Sequence, residues 1–136
     1  MSEYRYLLDT NILSDLIKNP TGSVAQKVTR SHIEPACCTN LIVACELRYR
    51  TCKKSSARLT ARVEQLLNTL PVLALEENVA HQYGEIRTVL ERAGQPIGGN
   101  DLLIAAHALT LRLTVVTANL REFTRVPGLA VENWLS

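Results

Sequence analysis

Apolar residues recur along this chain in two rhythms. Short compact runs, Tyr6-Leu7-Leu8, Ala36-Cys37-Cys38-Thr39, Val72-Leu73-Ala74-Leu75, Thr114-Val115-Val116-Thr117 and Leu129-Ala130-Val131, are bounded by polar or turn-forming residues and predict buried strands. Between them, apolar residues three and four apart predict helices. These cover Asn11 to Lys18 (Ile12, Leu13, Leu16, Ile17), Ser23 to about Ser31 with Ser23 as its cap, and a helix capped by Thr39 or Asn40 that runs to about Lys54 (Leu41, Ile42, Cys45, Tyr49). Further helices are predicted over Ala57 to Asn68, Glu76 to Arg92, and Leu102 to Leu111, the last opened by Asp101 and so rich in Leu, Ile and Ala that it must be well buried. Asn19-Pro20-Thr21-Gly22, Pro35, Ser55-Ser56 and Pro71 punctuate these segments, and Gly94 to Asn100 and Phe123 to Gly128 read as loops.

Strands separated by helices imply an α/β layered fold, with a central, mostly parallel sheet flanked by helices. No internal repeat or linker breaks the pattern, and 136 residues are most simply one domain, residues 1–136. No apolar run approaches the roughly 20 residues that span a bilayer, and no signal segment opens the chain, so a cytoplasmic protein without membrane attachment is the expectation. Of the four cysteines, none forms a Cys-x-x-Cys pair or stands at zinc-finger spacing from a histidine. They are expected to be buried, reduced thiols.

Net charge is only +2, so its distribution says more than its sum. Arg48, Arg50, Lys53, Lys54, Arg58 and Arg62 follow one another with no acid between them. That stretch is either a solvated helix face or a phosphate-contacting surface.

The acids carry the sharper signal. Asp9 ends the first strand, Asp101 starts the buried helix after a glycine-rich loop, Glu122 follows the fourth strand, and Glu46 lies among Val43, Ala44 and Leu47 on a helix. Strand ends and the helix starts after them face one edge of a parallel sheet, so these four carboxylates could converge. Each also has a local explanation: an Asx-turn for Asp9, an i,i+4 pair with Arg50 for Glu46, a helix cap or dipole partner for Asp101, and an exposed pairing with Arg121 or Arg125 for Glu122. Those explanations leave the apolar surroundings of Asp9 and Glu46 unaccounted for. Clustered carboxylates need a cation to stay ionised together, and an all-oxygen site suits Mg²⁺ or Mn²⁺ better than zinc. Such sites serve phosphoryl chemistry, in which the ion binds a phosphate oxygen and lowers the pKa of an attacking water.

Four stretches, Leu7-Leu8-Asp9-Thr10-Asn11, Cys45-Glu46-Leu47, Ile97 to Leu109 (IGGNDLLIAAHAL) and Val116 to Leu129 (VTANLREFTRVPGL), resemble the PIN domain. More narrowly they resemble the VapC-type toxins of bacterial type II toxin–antitoxin pairs, and among these the enteric branch that cuts initiator tRNA in its anticodon stem-loop. The resemblance spans essentially the whole chain in order. It implies a Mg²⁺-dependent endoribonuclease, with Mn²⁺ able to substitute. Asp9 and Asp101 match the family's principal metal-binding aspartates, and Glu46 and Glu122 its further catalytic acids. Many relatives carry an aspartate where this chain has Asn119, so the fourth acidic position lies between Asn119 and Glu122. Asn11 and Asn119 then take supporting hydrogen-bond roles, Thr10 and Thr117 orient ligands, and Arg48, Arg50, Lys53 and Lys54 are the candidates for holding RNA. A homodimer and a VapB-type antitoxin, covering the acidic groove with its C-terminal segment, are also implied.

Two readings compete. A PIN-like RNA- or protein-binding module with impaired catalysis is favoured only by Asn119. A phosphotransferase with Asp9 as nucleophile would usually carry a second aspartate two positions on, where this chain has Asn11. His107, six positions past Asp101, falls on the far side of the same helix and reads as structural, and Trp134 as a packing anchor.

Overall fold

Among the described residues, five short strands form one sheet: β1 (Tyr6–Leu8), β2 (Cys37–Asn40), β3 (Val72–Leu73), β4 (Thr114–Val116) and β5 (Val131–Glu132). The protein is seen here in a computed structural model that describes residues 3–30 and 32–135. The strand order is β3-β2-β1-β4-β5, and every neighbouring pair is parallel. Leu7, Leu8, Val115 and Val116 on the central pair are fully buried, as a parallel sheet covered on both faces requires.

The covering helices are α1 (Thr10–Lys18), α2 (Ser23–Val28), α3 (Leu41–Lys54), α4 (Ala57–Thr69), α5 (Val79–Arg92), α6 (Gly99–Leu111) and the single turn α7 (Leu120–Phe123). α6 buries Leu102, Ile104, Ala105, Ala106, His107 and Ala108, which cover most of its circumference, so it lies inside the molecule. α5 packs along it, and α3 packs against α1 and α4. None of the helices is long and apolar enough to cross a membrane among the described residues.

Several boundaries differ from the sequence reading, each for a local reason. α1 begins one residue earlier because Asp9 itself is the cap, its Oδ1 accepting from Thr10 N at 2.8 Å. Gly22, not Ser23, precedes α2; the Ser23 hydroxyl instead donates toward the Trp134 and Leu135 carbonyls at 3.0 Å, tying down the C-terminal segment. α2 ends at Val28, and its expected end, Ser31, lies outside the described residues. Asn40 caps α3, its Oδ1 accepting from Val43 N at 3.0 Å, while Thr39 stays in β2 and donates to the Leu8 carbonyl at 2.8 Å. α5 starts at Val79 because residues 76–80 first make tighter bonds, Val79 N to Glu76 O and Ala80 N to Glu77 O. α6 starts at Gly99, so Asp101 lies in its first turn and does not open it. α7 forms where the sequence suggested an irregular polar stretch.

The four cysteines divide. Cys37 and Cys38 are buried, and burial raises their thiol pKa values to about 11 and about 12. Cys45 and Cys52 are exposed on α3, against expectation, because the apolar spacing that includes them continues past the buried stripe of Val43, Ala44 and Leu47. Trp134 is buried and meets Tyr6 edge-on at 5.0 Å, which makes it the anchor expected of it. His107 is buried too, its Nδ1 3.0 Å from Asn40 Nδ2. Because Asn40 Oδ1 is held by Val43 N–H, the amide nitrogen must be the donor and Nδ1 the acceptor, which suits a neutral imidazole.

Candidate active site

In this sheet β1 and β4 lie side by side, while the chain leaves β1 toward β2 on the other flank. Open α/β sheets place ligands at such a reversal, outside the carboxyl ends of the strands. Asp9 and Thr117 are the first residues beyond β1 and β4 there. Asp9 N donates to the Val116 carbonyl at 2.9 Å, extending the ladder by one rung and fixing the carboxylate beside Thr117. Thr117 Oγ1 donates to Asp9 Oδ2 at 2.8 Å and accepts from Asn119 N at 2.9 Å.

Asn119 continues the chain of contacts. Its Nδ2 donates to Asp101 Oδ2 at 3.0 Å and to Glu122 Oε2 at 2.7 Å. The other Glu122 oxygen, Oε1, accepts from Gly98 N at 2.8 Å, which locks the residue before α6 to α7. On the opposite flank Thr10 Oγ1 donates to Glu46 Oε1 at 2.7 Å, bringing α3 to the start of α1. Thus Asp9, Glu46, Asp101 and Glu122 gather at one edge of the sheet from four separated segments. Asn119 and Glu122, the two candidates for the fourth acidic position, are hydrogen-bonded to each other.

The electrostatics follow from that crowding. Asp101 is pushed up to about 7, first by burial and then by the negative charges of Asp9, Glu122 and Glu46, with the Asn119 hydrogen bond pulling the other way. Asp9 is raised too, by burial first, against the hydrogen bonds from Thr117 and Thr10. Glu122 is lowered, because Asn119 and the Gly98 N–H stabilise its ionised form. A site of oxygen donors in which one carboxyl must hold a proton near neutrality is one that a hard divalent cation would relieve. As the side chains stand, no three of the described acids, histidines and cysteines form a ready cage.

The basic stretch separates by direction. Arg48 turns to α4 and makes a two-pronged pair with Glu64, both bonds 2.8 Å. Arg50 turns toward the site and donates to Asn11 Oδ1 at 3.3 Å and Ser14 Oγ at 3.4 Å; no pair with Glu46 forms. Lys53 and Lys54 are exposed near the end of α3. Three contributors escaped the sequence reading: Ser14, the Gly98 N–H and the helical turn α7. A Gly-Gly pair just ahead of Asp101 was the one available signal for a close backbone approach.

Residues 6–129 match the family of the PIN domain. The chain belongs to that family. Within it, the chain is one of the VapC ribonucleases: it is 38% identical over 132 residues to the tRNA(fMet)-specific endonuclease VapC of Salmonella typhimurium, covering 96% of this chain and 98% of that one. It is 36% identical over 130 residues to Ribonuclease VapC2 of Rickettsia felis, covering 95% and 97%. Among solved structures, DNA-bound VapBC from Salmonella typhimurium superposes with a TM-score of 0.87 at 36% identity, over 96% of this chain and 98% of that one.

Proposed function

We propose that this protein is the toxin of a type II toxin–antitoxin pair, a single-domain endoribonuclease that works with Mg²⁺ and accepts Mn²⁺. The observation that carries the chemistry is the convergence of Asp9, Glu46, Asp101 and Glu122 at one edge of the sheet, tied together through Thr10, Thr117 and Asn119. Asp9 and Asp101 would hold the ion. Once bound, it supplies Lewis acidity toward a phosphate oxygen and toward an attacking water. The residues of the chain do the rest. Thr117 and the Thr10 N–H hold the Asp9 carboxylate in one rotamer; Thr10 holds Glu46; Asn119 donates to both Asp101 and Glu122. To Glu46 and Glu122, both only partly buried, we assign the further acidic roles, as proton acceptors when the metal is bound. Asn11, engaged by Arg50, brings a guanidinium to the mouth of the site, where an RNA phosphate would need it. Lys53 and Lys54 extend that positive edge. Arg48, charge-matched by Glu64, has a lesser share.

The substrate we propose is initiator tRNA, cut in the anticodon stem-loop, supported by the naming of the Salmonella relative as tRNA(fMet)-specific. A VapB-type antitoxin is the proposed partner, supported by VapBC assemblies from Rickettsia felis and Salmonella typhimurium among the similar structures. A homodimer is the proposed working unit.

The deciding experiment is cleavage of purified initiator and elongator tRNAs with Mg²⁺, with Mn²⁺ and with EDTA, comparing wild type to Asp9→Ala and Asp101→Ala. Metal-dependent cuts in the initiator anticodon loop, lost in both variants, are expected. Equal cutting by the variants would overturn the site. Mn²⁺ binding and RNA binding without any cleavage would favour the impaired binding module.

A further inference from the structure

Beside the acidic cluster, α3 opens onto a concavity of about 720 Å³ lined by Ile42, Cys45, Glu46, Tyr49, Arg50, Lys53 and Asn100. Tyr49 stands in it 65% exposed, the most exposed of the large apolar side chains among the described residues. It lies one helical turn from Glu46, on the side from which Asn100 and then Asp101 approach. The Lys53 ammonium stands 6.0 Å from the ring centroid, and Arg50, the next residue, is already held at Asn11. An aromatic face, two cations and a catalytic carboxylate thus share one hollow.

We propose that Tyr49 is the stacking platform for an unpaired RNA base next to the scissile phosphate, a specificity-determining residue that rests on the ribonuclease reading above. The chemistry is that of single-strand recognition: an exposed ring takes the flat face of a base, whatever its identity, and neighbouring cations meet the flanking phosphates. Lys53 is placed to serve the phosphate of the stacked nucleotide and Arg50 the one entering the carboxylate cluster. A base seated there would splay out of its helix, so the site would select loops over duplexes. The hydroxyl of Tyr49 has no part in this; the ring does.

The test uses the full-length Asp101→Asn protein, which the ribonuclease reading expects to bind RNA without cutting it, with Mg²⁺ present. Affinity is measured by fluorescence anisotropy for a short labelled single-stranded RNA and for the same backbone with abasic sugars. In that background Tyr49→Phe is expected to bind like the parent. Tyr49→Ala is expected to bind base-bearing RNA roughly 5- to 150-fold more weakly, the span seen for loss of one base–aromatic stack, and abasic RNA equally well. A fluorescent purine analogue in the RNA should be quenched by the parent and by Tyr49→Phe but not by Tyr49→Ala. If Tyr49→Ala binds base-bearing RNA as the parent does, the platform is refuted while the ribonuclease reading stands. The platform is equally refuted if Tyr49→Ala changes only the molecular mass in light scattering, which would make Tyr49 a protein contact. Absence of RNA binding by the wild-type protein and the parent alike would overturn both readings. Far-ultraviolet circular dichroism checks that the exposed substitution leaves α3 folded.

Discussion

Asn119 donates to Asp101 at 3.0 Å with the same amide nitrogen that holds Glu122, so one neutral side chain ties two carboxylates together. An aspartate in its place would add a further negative charge to a cluster that already drives Asp101 to about 7. Metal binding at such a site must expel the Asp101 proton. Calorimetry of Mg²⁺ binding near pH 7, repeated in buffers of different ionisation enthalpy, should therefore show release of a fraction of a proton, fading at higher pH. Asn119→Ala removes the one contact that lowers the Asp101 pKa, so the release should persist to higher pH. A buffer-independent binding enthalpy in the wild type would sink this account.

Asp9 carries two roles that substitution can separate. It caps α1 through Oδ1, and it presents charge at the sheet edge. Asp9→Asn keeps the capping oxygen and removes the charge, whereas Asp9→Ala removes both. Both should lose RNA cleavage, by at least about 100-fold if the carboxylate binds the ion. Only Asp9→Ala should show the loss of a cap, about 1 kcal/mol, although release of a desolvated carboxylate offsets part of it. Urea denaturation of the two variants in EDTA, alongside a cleavage assay, reads the difference. Cleavage by Asp9→Asn at the wild-type rate would refute the charge requirement.

The convergence of the acids was legible in the sequence because its logic is topological. Asp9 ends an apolar run, Asp101 follows the Gly98-Gly99-Asn100 stretch, and parallel strands bring such ends to one edge whatever the side-chain details. The links between acids were not legible. Nothing in the spacing says that Thr117 would bond Asp9 across 108 residues, or that Asn119 would join rather than replace Glu122. Short polar stretches were the weak point for the same reason. Leu120 to Glu122 looks like loop until Phe123, fully buried, pulls one helical turn down onto the core. The cysteines of α3 misled because Cys45 keeps helical spacing with Leu41 and Tyr49 on a face that stays exposed.

Two groups, the partly buried Asp101 and the buried His107, should tilt metal-free stability in opposite directions with pH. Asp101 is raised from 3.8 to about 7, so the folded state holds its proton longer than the unfolded chain does; this contribution is complete below pH 3.8 and is lost as pH rises through about 7. His107 is lowered from 6.5 by burial, so its contribution is complete above pH 6.5 and is lost as pH falls through its folded value. In EDTA-treated protein, Asp101→Asn should therefore raise the melting temperature above about pH 7 and leave it nearly unchanged near pH 4. His107→Gln should flatten the acid side, at the cost of an imperfectly filled core beside Asn40. Parallel melting curves for Asp101→Asn and wild type across that range would contradict the Asp101 assignment.

The basic residues of α3 should separate by whom they already serve. Arg48 is matched by Glu64 in an exposed two-pronged pair, of a kind that contributes about 0–1 kcal/mol. Arg50 has only two long bonds to neutral oxygens, 3.3 and 3.4 Å, and Lys53 leans over the Tyr49 ring and pairs with no carboxylate among the described residues. Their charges are therefore the ones an RNA phosphate can claim. Affinity for single-stranded RNA, followed against salt concentration in the Asp101→Asn background, gives the measure. Arg50→Ala and Lys53→Ala should each weaken binding and lower the slope of log affinity on log salt by about 0.7, the share of one phosphate contact. Arg48→Ala should leave the slope unchanged and cost at most about 1 kcal/mol of stability. Equal slopes for all three variants would place the RNA away from the Arg50 side of α3.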